Sequence, residues 1–161
     1  MVKNSKNLLI KLIFLVSIIA LVSAFFIEYV LGHQPCNLCV LERIPYFLTI
    51  IIVLLNYKLI QYEKFFIFLL IIIFLAGTVL SLYHLGIEQG IISESSICAS
   101  DNINLTTKDE ILNSLQEIRI SCKDVAFRIF DLSLTTYNMM LSIIMFLISI
   151  KIYIINNGIK K

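Results

Sequence analysis

The sequence predicts an all-α integral membrane protein, a four-helix bundle whose long outward loop carries a short amphipathic helix. Three observations carry this. Hydrophobic residues make up 59% of the 161 residues and charged residues only 15%, with a mean hydropathy of +0.93; soluble domains hold about 45–50% apolar and about 25% charged residues. The apolar residues gather into four runs near the roughly 20 residues that a spanning helix needs. The charges sort by sign onto two sides of those runs. This composition excludes a disordered chain, a nucleic-acid-binding domain and an ordinary soluble enzyme. The net charge of +2 is too small to argue for a polyanionic partner, and 2 prolines and 5 glycines leave no room for a flexible linker. Residues 1–161 therefore read as one membrane domain.

The first span is expected over residues 8–29. Between 12 and 27 its only polar members are Ser17 and Ser23. Val22-Ser23-Ala24 resembles a signal-peptide cleavage site, but the apolar run continues past it, longer than a usual signal core. The segment is expected to stay. The second span, 44–62, carries Pro45 in its first turn, where proline is tolerated, and Lys58 near its end, where the amine can snorkel. The third covers 65–84 and the fourth 137–155. Outer loops fill 30–43 and 85–136. Within the longer loop, Thr107-Lys108-Asp109-Glu110 fits a capping box. Ile111, Leu112, Leu115 and Ile118 follow at helical spacing, so a helix is expected over about 107–117, lying on the membrane or packed in its own loop. Phe127, Ile129 and Phe130 offer a further apolar contact. Tyr29, Tyr46, Tyr83, Tyr137 and Tyr153 read as interfacial anchors.

Four spans leave both termini on the same side as the 58–64 turn. That side holds eight lysines and one acid, Glu63; the other holds five basic and ten acidic residues. Positive charge marks the cytoplasmic face, which puts both termini there and both loops outside. Cys36, Cys39, Cys98 and Cys122 all fall in the outward segments, in a compartment that permits disulfides. The close spacing of Cys36 and Cys39 pairs them and leaves Cys98 with Cys122.

A C-x-x-C serves redox chemistry, zinc binding or plain bridging. Zinc is disfavoured because 23 residues separate Cys98 from Cys122, against about two to four in most zinc knuckles. No metal is expected. A structural bridge is a poor staple across a two-residue loop, which closes little chain entropy. The surroundings favour reactivity. Cys39 stands near a helix start, whose partial positive charge lowers a thiol pKa. Arg43 lies four residues on and shares its face if one helix runs through both. A guanidinium there stabilises a thiolate or holds a ligand's carbonyl, though an arginine touching lipid headgroups is the commoner case. His84 and Glu88 are also four apart, a candidate proton route; an interfacial polar pair ending the third span is the plainer reading.

Cys-x-x-Cys-x-x-x-Arg at the mouth of four spans, with a second cysteine pair in the long loop, resembles the disulfide bond formation protein B (DsbB) family. Tyr83-His84-Leu85-Gly86-Ile87-Glu88, Leu132-Ser133 and Tyr137-Asn138 support the resemblance, which covers essentially the whole chain. It implies a bacterial inner-membrane thiol-disulfide oxidoreductase. Such a protein reoxidises a soluble periplasmic DsbA-like thiol oxidase and passes the electrons to membrane quinone, ubiquinone or menaquinone. On that resemblance Cys98 is the cysteine attacked by the partner, Cys122 hands electrons to Cys36, and Cys39 meets quinone beside Arg43, with His84 a second quinone-site candidate. The expected disulfides are Cys36–Cys39 and Cys98–Cys122, and whether the resting protein holds a bond between the two loops is left open. The competing class is a small tetraspan transporter or assembly subunit braced by two disulfides. No acid falls mid-span, which weakens that alternative.

Overall fold

The computed structural model describes residues 2–93, 98, 121–123, 128–129 and 132–159. Among the described residues five helices follow in order: α1 Val2–Tyr29, α2 Asn37–Leu41, α3 Ile44–Lys58, α4 Glu63–Glu88 and α5 Leu134–Ile159. A 3-10 turn, Ile60–Tyr62, joins α3 to α4, and two-residue strands β1 Arg128–Ile129 and β2 Leu132–Ser133 pair antiparallel just before α5. The stretches Ser5–Tyr29, Asn37–Lys58, Ile60–Glu88 and Leu134–Gly158 are long and apolar enough to cross a membrane. The helix expected at 107–117 and the contact expected at Phe127 and Phe130 lie outside the described residues, as does the side chain of Ile129.

The second span starts earlier than its apolar run and is broken. Pro45 has no N–H to give the Leu41 carbonyl, so the chain tightens there: the Arg43 N–H bonds the Val40 carbonyl at 3.1 Å, and α3 restarts with Pro45 in its first turn. The third span, α4, runs past His84 to Glu88 and closes on Gly90, whose φ of +73° is the left-handed cap conformation. The Ile91 and Ile92 N–H groups both bond the Gly86 carbonyl, and Ile92 folds onto the open face of Gly86, where a Cβ would sit 2.7 Å from its Cδ1.

The helices close a ring in which α1 packs on α3, α3 on α4, α4 on α5 and α5 on α1. Ile13, Ile52, Val53, Ile67, Phe74, Met145 and Ile152 fill its centre. Phe47, Phe68, Val79 and Leu147 are exposed outside, the surface that a bilayer would cover. Hydroxyls inside the ring satisfy themselves on their own helix: Ser17 bonds the Ile13 carbonyl, Thr49 that of Pro45, Thr78 that of Phe74 and Ser149 that of Met145. At the end of the bundle that holds the termini, Lys6 is buried. Its Nζ donates to Glu63 Oε1 at 2.5 Å and to Asn156 Oδ1 at 3.3 Å, tying α1, α4 and α5 together.

Gly77 of α4 lets Pro45 approach. A Cβ there would stand 3.2 Å from Pro45 Cγ and 3.8 Å from Ser142 Oγ. Gly77→Ala gains about 1 kcal/mol of helix propensity, which offsets that tight contact, so its thermal midpoint in detergent should barely move. Gly77→Val adds two methyl groups with nowhere to go and should destabilise by about 1–3 kcal/mol.

Candidate active site

Cys36 is the N-cap of α2. Its backbone is extended, and its Sγ accepts the Cys39 N–H at 3.2 Å, taking one of the donors a helix start leaves unpaired. One helical turn brings the two sulfurs to 2.6 Å. The two atoms that would form the Cys36–Cys39 bond implied by the resemblance are therefore adjacent.

Across from the pair stands His84 of α4, 2% exposed. Its Nδ1 lies 2.9 Å from Glu42 Oε1 and its Nε2 lies 3.5 Å from Cys36 Sγ. With the Nδ1 proton donated to Glu42, Nε2 can accept the Cys36 thiol proton and, once protonated, donate to the thiolate. Asn138 of α5 donates from Nδ2 to Glu42 Oε2 and to Ser81 Oγ, each at 2.8 Å, while Tyr46 donates to Asn138 Oδ1 at 2.6 Å. Cys39's thiol holds Cys36 well below the ordinary thiol pKa by hydrogen bonding to it, and His84 adds a hydrogen bond and charge. Together these outweigh burial, which pushes the other way.

The structure therefore corrects two expectations. His84 is not an interfacial polar residue ending a span; it is buried, and its partners are Cys36 and Glu42. Tyr46 is no lipid-facing anchor; it is 4% exposed, against Phe74 and Asn138. The sequence reading gave no role to Glu42 or Asn138. A signal for Glu42 was available, because an acid directly after Val40-Leu41 at the start of a span needs a partner.

Arg43 does not extend the α2 face that Cys39 occupies, because α2 stops at Leu41. Its guanidinium donates to Glu28 of α1 and lies 5.2 Å over the Phe25 ring. Arg43, Cys39, His84 and Glu88 nonetheless line one cavity of about 400 Å³, walled by Val16, Ile19, Ala20 and Leu141. Glu88 Oε2 is buried there with no hydrogen-bond partner among the described residues.

Cys98 and Cys122 form a disulfide with Cα atoms 5.3 Å apart. Both cysteines are buried, packed with Cys36, Leu38 and Ile87, and Cys122 also lines the cavity. A disulfide carries no hydrogen-bonding demand of its own, so it packs on apolar neighbours as a hydrophobe would.

The low Cys36 pKa gives a pH test. An ordinary thiol reacts half-maximally near pH ~8.5. Alkylation of Cys36 in the reduced protein should instead stay fast as pH falls well below that, because the thiolate persists. His84→Ala removes one of the partners of that thiolate, so the midpoint should move up towards the ordinary value.

Residues 6–152 match the family described as disulfide bond formation protein DsbB. An uncharacterized protein of Rickettsia prowazekii (strain Madrid E) is 42% identical over 85 residues, 53% of this chain and 49% of that protein, so the chain spans about half the length of that curated relative. No solved structure matches. With a buried disulfide packed on a C-x-x-C at one end of four spanning helices, and a family match over nearly its whole length, the chain belongs to the DsbB family of disulfide bond formation proteins.

Proposed function

We propose that this protein is a quinone-dependent thiol oxidoreductase of the bacterial inner membrane, with both termini cytoplasmic, and that it reoxidises a soluble periplasmic DsbA-like dithiol. One observation carries the reading: the loop disulfide, the Cys36–Cys39 pair and an apolar cavity with a polar end meet at one place. Lysine-rich flanks on the side of the termini and a disulfide on the other support the orientation.

In this reading the partner's thiolate attacks Cys98 Sγ, breaking the Cys98–Cys122 bond and releasing Cys122 as a thiolate. The partner's second thiol resolves the mixed disulfide, leaving the partner oxidised and Cys98 reduced. Cys122 attacks Cys36 of the Cys36–Cys39 disulfide and expels Cys39, and Cys98 then closes on Cys122. Two electrons and two protons now reside on Cys36 and Cys39. Cys98 is buried, so the first attack requires it to be uncovered.

The cavity fits the cofactor that the family implies. Its walls suit an apolar tail, the Arg43 guanidinium and a His84 ring N–H are donors for the carbonyl oxygens of a quinone ring, and the unpartnered Glu88 oxygen is an acceptor for a hydroxyl of its reduced form. When bound, quinone supplies a two-electron, two-proton acceptor. Arg43 places positive charge where negative charge develops, in a low-dielectric setting where such charge counts most. His84, backed by Glu42, takes up the proton that Cys36 loses.

Thiol titration during quinone addition tests the reading: both pairs should change redox state, whereas disulfides that only brace loops would stay oxidised. A partner whose second cysteine is replaced by serine should be trapped in a mixed disulfide with Cys98, because the resolving thiol is gone, and Cys98→Ser should abolish that adduct. An adduct formed through Cys36 with Cys98 intact would reverse the order. Arg43→Ala should lower quinone-dependent turnover by about 10²- to 10³-fold, the range for loss of one transition-state donor. Single-turnover oxidation of the partner without quinone should be nearly unchanged. Equal loss in both assays would mean that Arg43, through Glu28, holds the outer structure together.

A further inference from the structure

The 23 residues between Cys98 and Cys122 disfavour a site built from both cysteine pairs. The fold supplies a different set. Cys36 Sγ, Cys39 Sγ and a His84 ring nitrogen all lie within 4.8 Å of one another. We propose that the reduced Cys36–Cys39 pair, together with His84 Nε2, is a binding site for a thiophilic d10 cation such as zinc(II) or cadmium(II), and that the oxidised pair is not.

Four features support the assignment. The first is ligand chemistry: two thiolates and an imidazole form a Cys₂His set, and soft sulfur selects these ions over magnesium or calcium. The second is an edge length. With bonds of about 2.3 Å to sulfur and about 2.0 Å to nitrogen, a tetrahedral ion sets sulfur and nitrogen roughly 3.5 Å apart, and Cys36 Sγ and His84 Nε2 stand at 3.5 Å. The two sulfurs must open from 2.6 Å to about 3.8 Å, within reach of a turn of the Cys39 side chain. The third is support behind the ligands. Glu42 holds the other ring nitrogen at 2.9 Å, the carboxylate–histidine arrangement that fixes ring orientation and raises ligand basicity at metal sites. The Cys39 N–H donates to Cys36 Sγ at 3.2 Å and stabilises it as a thiolate ligand. The fourth is access: all three ligating residues line the cavity, which leaves the fourth position to water.

Binding moves no electrons. Each ion displaces two protons, that of the Cys39 thiol and the one shared between Cys36 and His84 Nε2, and forms two metal–sulfur bonds and one metal–nitrogen bond. It occupies the electron pairs that disulfide formation needs, so the ion and the oxidant compete for the same dithiol. The ligand set stands on geometry alone and holds whatever oxidises the pair.

The test uses the full-length protein in detergent, with Cys98→Ser and Cys122→Ser to remove the loop thiols, reduced with a phosphine that is then washed out. Titration with cadmium(II) should produce a thiolate-to-cadmium charge-transfer band that saturates at one ion per chain, and zinc(II) should displace it. The same protein with Cys36–Cys39 oxidised should give no band. Glu42→Gln keeps shape and should weaken binding by about 10- to 100-fold; His84→Ala should weaken it at least as much. Unchanged affinity in both variants, or a band from the oxidised protein, overturns the proposal. X-ray absorption on the zinc-loaded dithiol, with His84 and Glu42 intact, does not depend on how those variants fold. Two sulfurs and one imidazole uphold the site, and two sulfurs with oxygen ligands alone overturn it.

Discussion

The cysteine end of this bundle depends on satisfying one buried carboxylate. Glu42 is 7% exposed among helices that are otherwise apolar. An unpaired charge there would cost several kcal/mol, and no water within a bilayer could relieve it. Both its oxygens are taken, one by His84 and one by Asn138, and Asn138 is itself held by Ser81 and Tyr46. The network thus gathers the α2–α3 junction, α3, α4 and α5. Its neighbour Arg43 brings in α1 through Glu28. Such a network is weak evidence for net stability. Its effect is positional: removing one member strands the others, so the helices share one register where the chemistry sits.

The break between α2 and α3 makes this possible. Consecutive residues on an unbroken helix differ by about 100° in direction, and residues four apart share a face. A continuous helix would have kept Arg43 on the side of Cys39. By stopping at Leu41 and restarting at Pro45, the chain lets Glu42 meet α4 and α5 while Arg43 meets α1. The same break makes Cys36 the cap of its own short helix and seats its sulfur between the Cys39 N–H and His84.

The bilayer-spanning character of the chain was legible because composition alone decides it, and the cysteines were legible because their spacing is short. The buried network was not. Cys36 and His84 are 48 residues apart, Glu42 and Asn138 96 apart, and four helices apolar on every side carry no periodic signal to say which face turns inward. Tyr46 shows the consequence: its depth along a span was readable, its rotation about the helix was not. His84 failed in the same way, since its spacing to Glu88 suggested a partner on its own helix when the partner lay on another. The depth of Cys98 and Cys122 was equally invisible, because a polar loop sequence does not reveal where its apolar members fold back.

If electrons pass between the two cysteine pairs as proposed, the surroundings of each pair bear on the direction. Only the reduced form of the Cys36–Cys39 pair contains a thiolate, so whatever stabilises that thiolate stabilises the reduced form and makes the disulfide more oxidising. Cys39's thiol and His84 do this for Cys36. Among the described residues, the buried neighbours of Cys98 and Cys122 in their cluster are Leu38, Ile87 and Cys36, and apolar surroundings disfavour thiolates. Stabilising the thiolate at one pair and withholding that help from the other tilts the equilibrium. In the proposed relay that tilt would carry electrons from the loop pair to Cys36 and Cys39, towards the apolar cavity. A network whose structural task is to neutralise Glu42 therefore also holds His84 against Cys36, and packing and redox chemistry become consequences of the same hydrogen bonds.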